Sequence, residues 1–449
     1  MEIKRKAYRQ LLDWKRSSPN GKAILVKGAR RVGKSYLVEA FARNEYRSHI
    51  LVDFSSLPPG ILGVFKQYAN KFSMDEFFNQ LSVRYATPLH PGKSAIIFDE
   101  VQQYPKAREF IKHLVADGRY DCMETGSLIS LRKNVRGIVI PSEEDVLELF
   151  PLDFEEFLGA LGDTTTIDCL KSAYEQKKPL GRLLQVVNRS LRTYMLVGGM
   201  PQAVVRYAES RNYDAVERVK QGIIRLYRED IAKYAETYAA QARAVFDAIP
   251  AQLSRHDKKI KFSALHKGGR FSRYQDALYW IQDSMVGNLC YGLNEPTVFD
   301  GFSLQMEKVK CYMADTGLLL TLAAGANYLK SGLYREFISG KLAVNKGMMT
   351  ENLVAQMLTA SRHQLRFFEK TERSAQRDAR KYEVDFLLTQ GDGVTPVEVK
   401  SGNVKRHPSL DYLTAKFKGR IRKGIVLTKG DLRETDDYLY LPLAMTFLL

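Results

Sequence analysis

Short apolar runs alternate with stretches of helical spacing through the first part of the chain. Tyr8, Leu11, Leu12 and Trp14 recur at the period of an amphipathic helix, and Ser17-Ser18-Pro19-Asn20-Gly21 ends it as a turn. Ile24-Leu25-Val26-Lys27 predicts a buried strand, with a helix after it to about Ala42. His49–Phe54 predicts the next strand, Met74–Arg84 a helix, Ser94–Asp99 a strand and Lys106–Asp117 a helix. Tyr120–Thr125 predicts a further strand, with Gly126-Ser127 at its tip. Apolar strands joined by helices imply a parallel sheet covered on both faces, a three-layer α/β domain.

From Leu149 the spacing turns helical and stays so to about Tyr234, punctuated by Gly198-Gly199-Met200-Pro201. Val204, Val205, Ile223, Ile224 and Leu226 give these helices the apolar face of a lid. Ala242–Leu253, Phe262–Leu265 and Ser272–Gly287 then predict three helices. Gly287–Leu293 and Lys308–Met313 follow as two strands, which is a winged-helix pattern. Past Thr316 an amphipathic helix beginning near Gly347 precedes two strands, Tyr382–Leu388 and Pro396–Lys400. The predicted division is an α/β domain over 1–160, a helical lid over 161–236, a winged helix over 237–315 and a further α/β domain over 316–449.

A length of 449 residues exceeds what one hydrophobic core supports. No apolar run reaches the roughly 18 residues that span a bilayer. Met1-Glu2-Ile3-Lys4-Arg5-Lys6 has no apolar segment behind it, so no secretory signal is expected. Cys122, Cys169, Cys290 and Cys311 are far apart and form no CxxC, which fits a reducing, cytoplasmic setting without disulfides or zinc. The net charge of +17 points to a polyanionic partner, nucleic acid or a membrane surface, unless it only keeps the surface soluble. Its placement adds detail. Lys258, Lys259, Lys261, Lys267 and Arg270 crowd the stretch between Arg255 and Arg273, where they suit phosphate contacts.

The first strand runs into Gly28-Ala29-Arg30-Arg31-Val32-Gly33-Lys34-Ser35-Tyr36, and a helix follows. This is the phosphate-binding loop in the order its mechanism requires. Gly28 and Gly33 let backbone N–H groups converge on a triphosphate, Lys34 reaches the β- and γ-phosphates, and the Ser35 hydroxyl ligates Mg2+. Ile96-Ile97-Phe98-Asp99-Glu100 is a buried strand ending in two acids. Asp99 is placed to hold the magnesium and Glu100 to polarise the attacking water. Thr125 and Ser127 stand at a strand end where a polar side chain senses the γ-phosphate, although both are also ordinary turn residues. Arg132, Lys133 and Arg136 either reach a neighbouring subunit's nucleotide or form a solvated basic loop.

The second constellation lies near the end of the chain. Glu351 opens a helix, Asp385 sits on a strand, and Glu398 and Lys400 share one face of the next strand. If the two strands pair as a hairpin, Asp385 and Glu398 approach each other. Together they can hold Mg2+ or Mn2+, with Glu351 as a further ligand and Lys400 helping to activate water toward a phosphodiester. The alternative is an ordinary charged hairpin face. Nine basic residues between Lys400 and Lys429, against Asp411 alone, favour a polyanion there.

Together these motifs resemble the bacterial and archaeal ATPases that join an AAA+-type P-loop domain and a winged helix to a C-terminal domain related to PD-(D/E)XK nucleases. The resemblance covers nearly the whole chain. It rests on the Gly28–Ser35 loop, Phe98-Asp99-Glu100, Thr125-Gly126-Ser127, Pro151-Leu152-Asp153-Phe154-Glu155-Glu156-Phe157 and Gly198-Gly199-Met200-Pro201. It continues through Asp315-Thr316-Gly317-Leu318, Glu351-Asn352, Glu383-Val384-Asp385 and Glu398-Val399-Lys400. The nuclease motif departs from its name, because Val384 and not proline precedes Asp385. The resemblance implies an ATP-hydrolysing, DNA-associated enzyme whose tail cleaves or only binds nucleic acid. Two other readings stay open: a regulatory ATPase switch, and a ring-forming homo-oligomeric motor on DNA junctions, each with an inert tail.

Overall fold

In a computed structural model the described residues are 3–17, 21–68, 73–128, 141–299, 303–325, 346–374, 377–402 and 406–449. They fold as two compact units, Lys4–Phe150 and Pro151–Leu449.

The first unit is built on five parallel strands: β1 (Ala23–Lys27), β2 (Ser48–Asp53), β3 (Ser94–Asp99), β4 (Asp121–Gly126) and β5 (Glu144–Glu148), in the order β2-β3-β4-β1-β5. Inserting β4 between β1 and β3 brings the C-terminal ends of the three together, where polar side chains emerge. The strands' near-continuous Val, Ile and Phe content follows from burial on both faces. One side is an aromatic core in which Phe65 meets Phe54, Phe77, Phe98 and Phe110 with ring centroids 5.1–5.6 Å apart. The four apolar strands and the Met74–Arg84 helix fall where the spacing predicts. Glu144–Glu148 was not predicted: it is a charged edge strand with only Leu147 buried, so it has no apolar run.

A polar cluster lies inside this sheet. Arg108, buried, pairs with Glu124 at 3.3 Å and Glu144 at 2.5 Å. Burial pushes the Glu124 carboxyl well above its ordinary 4.5, and Glu144 adds to this while Arg108 opposes it. The folded form therefore keeps a proton that the unfolded chain has lost, and stability from this group falls as pH rises above about 4.5. Glu124→Gln removes the linkage. Its melting temperature relative to the parent protein should rise by about 2–4 °C between pH 5 and 8.5. A pH-independent difference in thermal melts would refute the protonated assignment.

The second unit begins with helices Phe154–Ala160, Thr164–Gln176, Leu183–Val197, Pro201–Ser210 and Tyr213–Tyr234. Asp153 caps the first through a reciprocal pair with Glu156. Two of the sequence motifs meet here. Asp315 caps helix Thr316–Ala324 through Leu318 N–H at 2.8 Å and accepts Gly199 N–H at 2.5 Å. A Cβ on Gly199 would lie 2.1 Å from the Leu152 carbonyl oxygen, and one on Gly317 would lie 2.7 Å from Gly198 Cα. Helix Lys346–Ala360 joins the same knot, with Asn352 accepting Met313 N–H and Gln356 accepting Thr316 N–H, both at 2.8 Å.

Helices Ala239–Leu253, Phe262–Leu265 and Phe271–Asp283 precede the antiparallel pair β6 (Gly287–Leu293) and β7 (Leu304–Met313), as the winged-helix pattern predicts. The hairpin does not end there. β6 also pairs in parallel with β8 (Arg366–Ser374), which pairs with β9 (Arg377–Val384), so one sheet runs β7-β6-β8-β9. A second sheet, β10-β11-β12-β14-β13, holds β10 (Phe386–Gln390), β11 (Gly393–Val399), β12 (Gly424–Thr428), β13 (Arg433–Glu434) and β14 (Tyr438–Pro442). β10 and β11 form a hairpin, and helix Pro408–Lys416 lies between β11 and its parallel neighbour β12. The predicted single strand Tyr382–Leu388 is interrupted: Val384 ends β9, Phe386 begins β10, and Asp385 sits at the break. No helix among the described residues is long and apolar enough to cross a membrane.

Candidate nucleotide site and acidic centre

The turn after β1 is shaped by its glycines. A Cβ on Gly28 would lie 2.4 Å from the Leu149 carbonyl oxygen, and Gly33 adopts a φ of +93° at the start of helix Lys34–Glu45. Arg31 also has a left-handed backbone, φ +71°. Ala29 and Val32 are buried, Arg30 and Ser35 are partly exposed, and Tyr36 stands in solvent. Lys34 is buried, its Nζ 3.2 Å from the carbonyl oxygens of both Gly28 and Ala29. Arg5, which the sequence reading passed over, braces the loop by donating to Val32 O at 2.9 Å and Phe150 O at 2.7 Å.

Beside the loop, Ser35 Oγ donates to Asp99 Oδ1 at 2.8 Å, and Thr125 Oγ1 donates to the same oxygen. Burial pushes Asp99 above the usual carboxylate range against those two hydrogen bonds, with Glu100 and Asp53 adding to the rise. A hydroxyl on a buried carboxylate held above its usual range fits Mg2+. Glu100 follows in the left-handed region, φ +55° and ψ +44°. Its N–H donates to Thr125 Oγ1 at 3.3 Å, and its carboxylate accepts from Gln102, whose amide nitrogen also reaches Ser127 Oγ at 3.2 Å. Thr125, in β4, therefore touches both acids, and Ser127, just past its end, reaches Glu100 only through Gln102. Arg132, Lys133 and Arg136 lie outside the described residues.

In the second unit, Phe386 stands opposite Val397 in the hairpin, and Asp385 Oδ2 accepts Val399 N–H at 2.8 Å. Asp385 and Glu398 thus flank the last rung. Burial, then the charges of Glu351 and Glu398, push Asp385 up to about 8. Burial likewise raises Glu398 although Lys400 pairs with it, and Glu398 Oε2 is buried with no hydrogen-bond partner. Two elevated carboxyls and an orphaned oxygen fit a divalent cation.

Glu351 faces other company. Lys258 pairs with one of its oxygens; Lys310 Nζ, at 3.3 Å, and Tyr312 O–H, at 2.5 Å, reach the other. Burial raises the Glu351 carboxyl, but Lys310 and Lys258 outweigh it and hold it below its usual range. Asp257, Glu369 and Glu383 are the described acids whose oxygens gather within 4.8 Å, and lysines interleave them too. Lys308 and Lys381 reach Glu369 at 3.0 and 2.8 Å, and Lys310 and Lys381 each reach Glu383 at 2.8 Å. Burial raises both carboxyls, yet these lysines, with Lys259 on Glu369, hold each at about 2. Lys258 and Lys259, read from sequence as phosphate contacts, thus point inward to acids, while Lys261, Lys267, Arg270 and Arg273 stay exposed. The basic stretch after Lys400 is also partly neutralised, by Lys416–Glu372, Arg422–Asp392 and Lys423–Glu434, each at 2.7 Å. Lys405 lies outside the described residues.

Residues 20–158 match a family model described as an AAA domain. Residues 188–328 and 346–445 match two models described as domains of unknown function, DUF8612 and DUF4143. None of the curated proteins matches. Among solved structures, the Pif1 helicase from Candida albicans aligns at 15% identity over 38% of this chain and 44% of that one, with a TM-score of 0.23. This chain therefore spans less than half the length of that helicase. The Aeropyrum pernix ORC1 protein, solved in complex with DNA, aligns at 12% over 73% and 94%, TM-score 0.28. AMPPCP-bound DnaA from Aquifex aeolicus aligns at 11% over 63% and 88%, TM-score 0.29. At these scores the superpositions carry no weight beside the AAA match and the strand order. Those two make the N-terminal domain an ATPase of the AAA+ type.

Proposed function

We propose that this ATPase of the AAA+ type couples ATP hydrolysis to work on DNA, with a C-terminal domain that cleaves phosphodiesters. The observation that carries the ATP half is the hydrogen-bonded set Ser35, Asp99 and Thr125 beside the Lys34 loop. The loop N–H groups of Gly28–Tyr36 bind the phosphates, Lys34 turns from its own carbonyls to the β- and γ-phosphates, and Glu100 accepts a proton from the attacking water. Ser35 and Asp99 hold the Mg2+, which neutralises charge on the phosphates.

In the second unit, exposed Lys261, Lys267, Arg270 and Arg273 contact DNA phosphates. Asp385 and Glu398 hold Mg2+ or Mn2+, which supplies the Lewis acid, and Lys400 orients the water beside Glu398. The unpartnered Glu398 Oε2 supports this reading. A second reading, an ATPase switch with an inert tail, is favoured by the lysines that already occupy Glu351.

ATP turnover and DNA integrity read from the same tubes, in Mg2+ and in Mn2+, separate the two. DNA-stimulated turnover with cleavage that Asp385→Ala lowers at least about 100-fold is expected. Turnover indifferent to DNA, with the DNA left intact, would overturn the nuclease proposal in favour of the switch.

A further inference from the structure

Gln102, 8% exposed, is a buried polar side chain beside the nucleotide loop whose arrangement the loop chemistry leaves unexplained. It lies in the short 3-10 turn Val101–Gln103 that follows Glu100. Both of its amide protons are engaged, one by the Glu100 carboxylate and one by Ser127 Oγ. A carboxylate accepts and does not donate, so the nitrogen must face Glu100. The carbonyl oxygen, Oε1, is left buried with no partner. A buried acceptor without a donor costs about 1–3 kcal/mol, and such a group is retained where something else fills it. The neighbouring backbone is strained as well, since Glu100 is a non-glycine residue at φ +55°. Strain of this kind persists where the surroundings hold it for a purpose.

We infer that Gln102, anchored on Ser127 through one N–H, fixes the Glu100 carboxylate through the other and offers Oε1 as the second acceptor for the water that Glu100 polarises. A lytic water has two protons. One hydrogen-bonds to Glu100 and is transferred to it as the oxygen attacks the γ-phosphorus, whose bond to the β–γ bridging oxygen breaks so that ADP leaves with the electron pair. The other needs a second acceptor to fix the orientation of the attacking lone pair. Gln102 meets this need without adding charge beside Asp99 and Glu100. It is a positioning residue through Glu100 and touches the reacting water through Oε1. Ser127 then acts on the water only through Gln102.

The inference rests on the reading of Glu100 as the base, so Glu100→Gln is measured beside Gln102→Ala and Gln102→Met. Methionine matches glutamine in length and keeps the packing without donor or acceptor. Steady-state ATP hydrolysis by the full chain should show kcat lowered about 10–100-fold in both Gln102 variants, with KM for ATP within about twofold of the parent protein. Ser127→Ala should give a smaller kcat loss in the same direction, because Gln102 keeps one of its two anchors. Glu100→Gln without turnover alongside Gln102→Met at parental kcat would overturn the role of Gln102 and leave the base standing. A KM that rises in step with the kcat loss in Gln102→Met would overturn it also, because the change would then be one of site structure. Turnover retained in Glu100→Gln would overturn both readings.

Discussion

Lys34→Ala is expected to lower ATP turnover about 10²–10³-fold, the cost typical of removing one preorganised electrostatic contact to a developing charge. The side chain is buried, with its ammonium 3.2 Å from two carbonyl oxygens of its own loop, so it rests at the place where phosphate oxygens arrive. Alanine removes the only ammonium donated by the Gly28–Tyr36 loop, and the backbone N–H groups remain. Nucleotide affinity should therefore fall less than kcat. Arginine at the same position keeps the charge but carries a wider planar head, and it should not restore the rate. The measurement is phosphate release under saturating ATP, with the melting temperature as a control for folding. Turnover within about threefold of the parent protein would sink the assignment of Lys34, and with it the reading of the loop.

Gly199→Ala should destabilise the second unit by about 3 kcal/mol or more. The added methyl would lie 2.1 Å from the Leu152 carbonyl oxygen and 2.8 Å from its nitrogen, both backbone atoms that pair with neighbours. Leu152 N–H donates to Gly199 O at 2.7 Å, and Tyr194 O–H donates to Leu152 O at 2.5 Å. Moving Leu152 would also disturb Asp315, which holds Gly199 N–H. No flexible side chain is available to yield. Gly222→Ala is the control. It lies within helix Tyr213–Tyr234 with nothing within 4 Å of the added atom, and it should stabilise by about 0.5–1 kcal/mol. Thermal melts of the two variants should shift in opposite directions. A Gly199→Ala melt within about 2 °C of the parent protein would refute the close approach.

The nucleotide loop was readable because its chemistry is local: Gly28, Lys34 and Ser35 are held in order by one turn between a strand and a helix. Asp99 was readable because an apolar run ends at it. The hairpin that brings Asp385 and Glu398 together entered the sequence reading only as a condition, and it closes at Gly391-Asp392-Gly393. The break at Asp385 was not legible, since a bend between two sheets needs neither glycine nor proline and leaves the apolar pattern of Val384 and Phe386 intact. The edge strand Glu144–Glu148 carries too few buried positions to leave a period. The direction of Lys258 and Lys259 was hidden for another reason. A lysine stem reaches several ångströms either way, and only the arrival of Glu351 and Glu369, more than ninety residues later, turns it inward. Gln102 had a signal in retrospect, a neutral amide two residues beyond the paired acids.

The sheet that joins β6 to β8 bears on how such a chain is inherited. Two family models divide near residue 330, yet the strands they assign to different domains share one hydrogen-bonded ladder. Lys310, fully buried on one side of that division, is neutralised by Glu351 and Glu383 on the other. Recombination at this point would strand an ammonium in the interior, a loss of about 3–5 kcal/mol beside the opened sheet edge. The β6–β7 hairpin and the strands after it are thus one structural unit, and a cut between the two family models would leave neither half with a closed sheet.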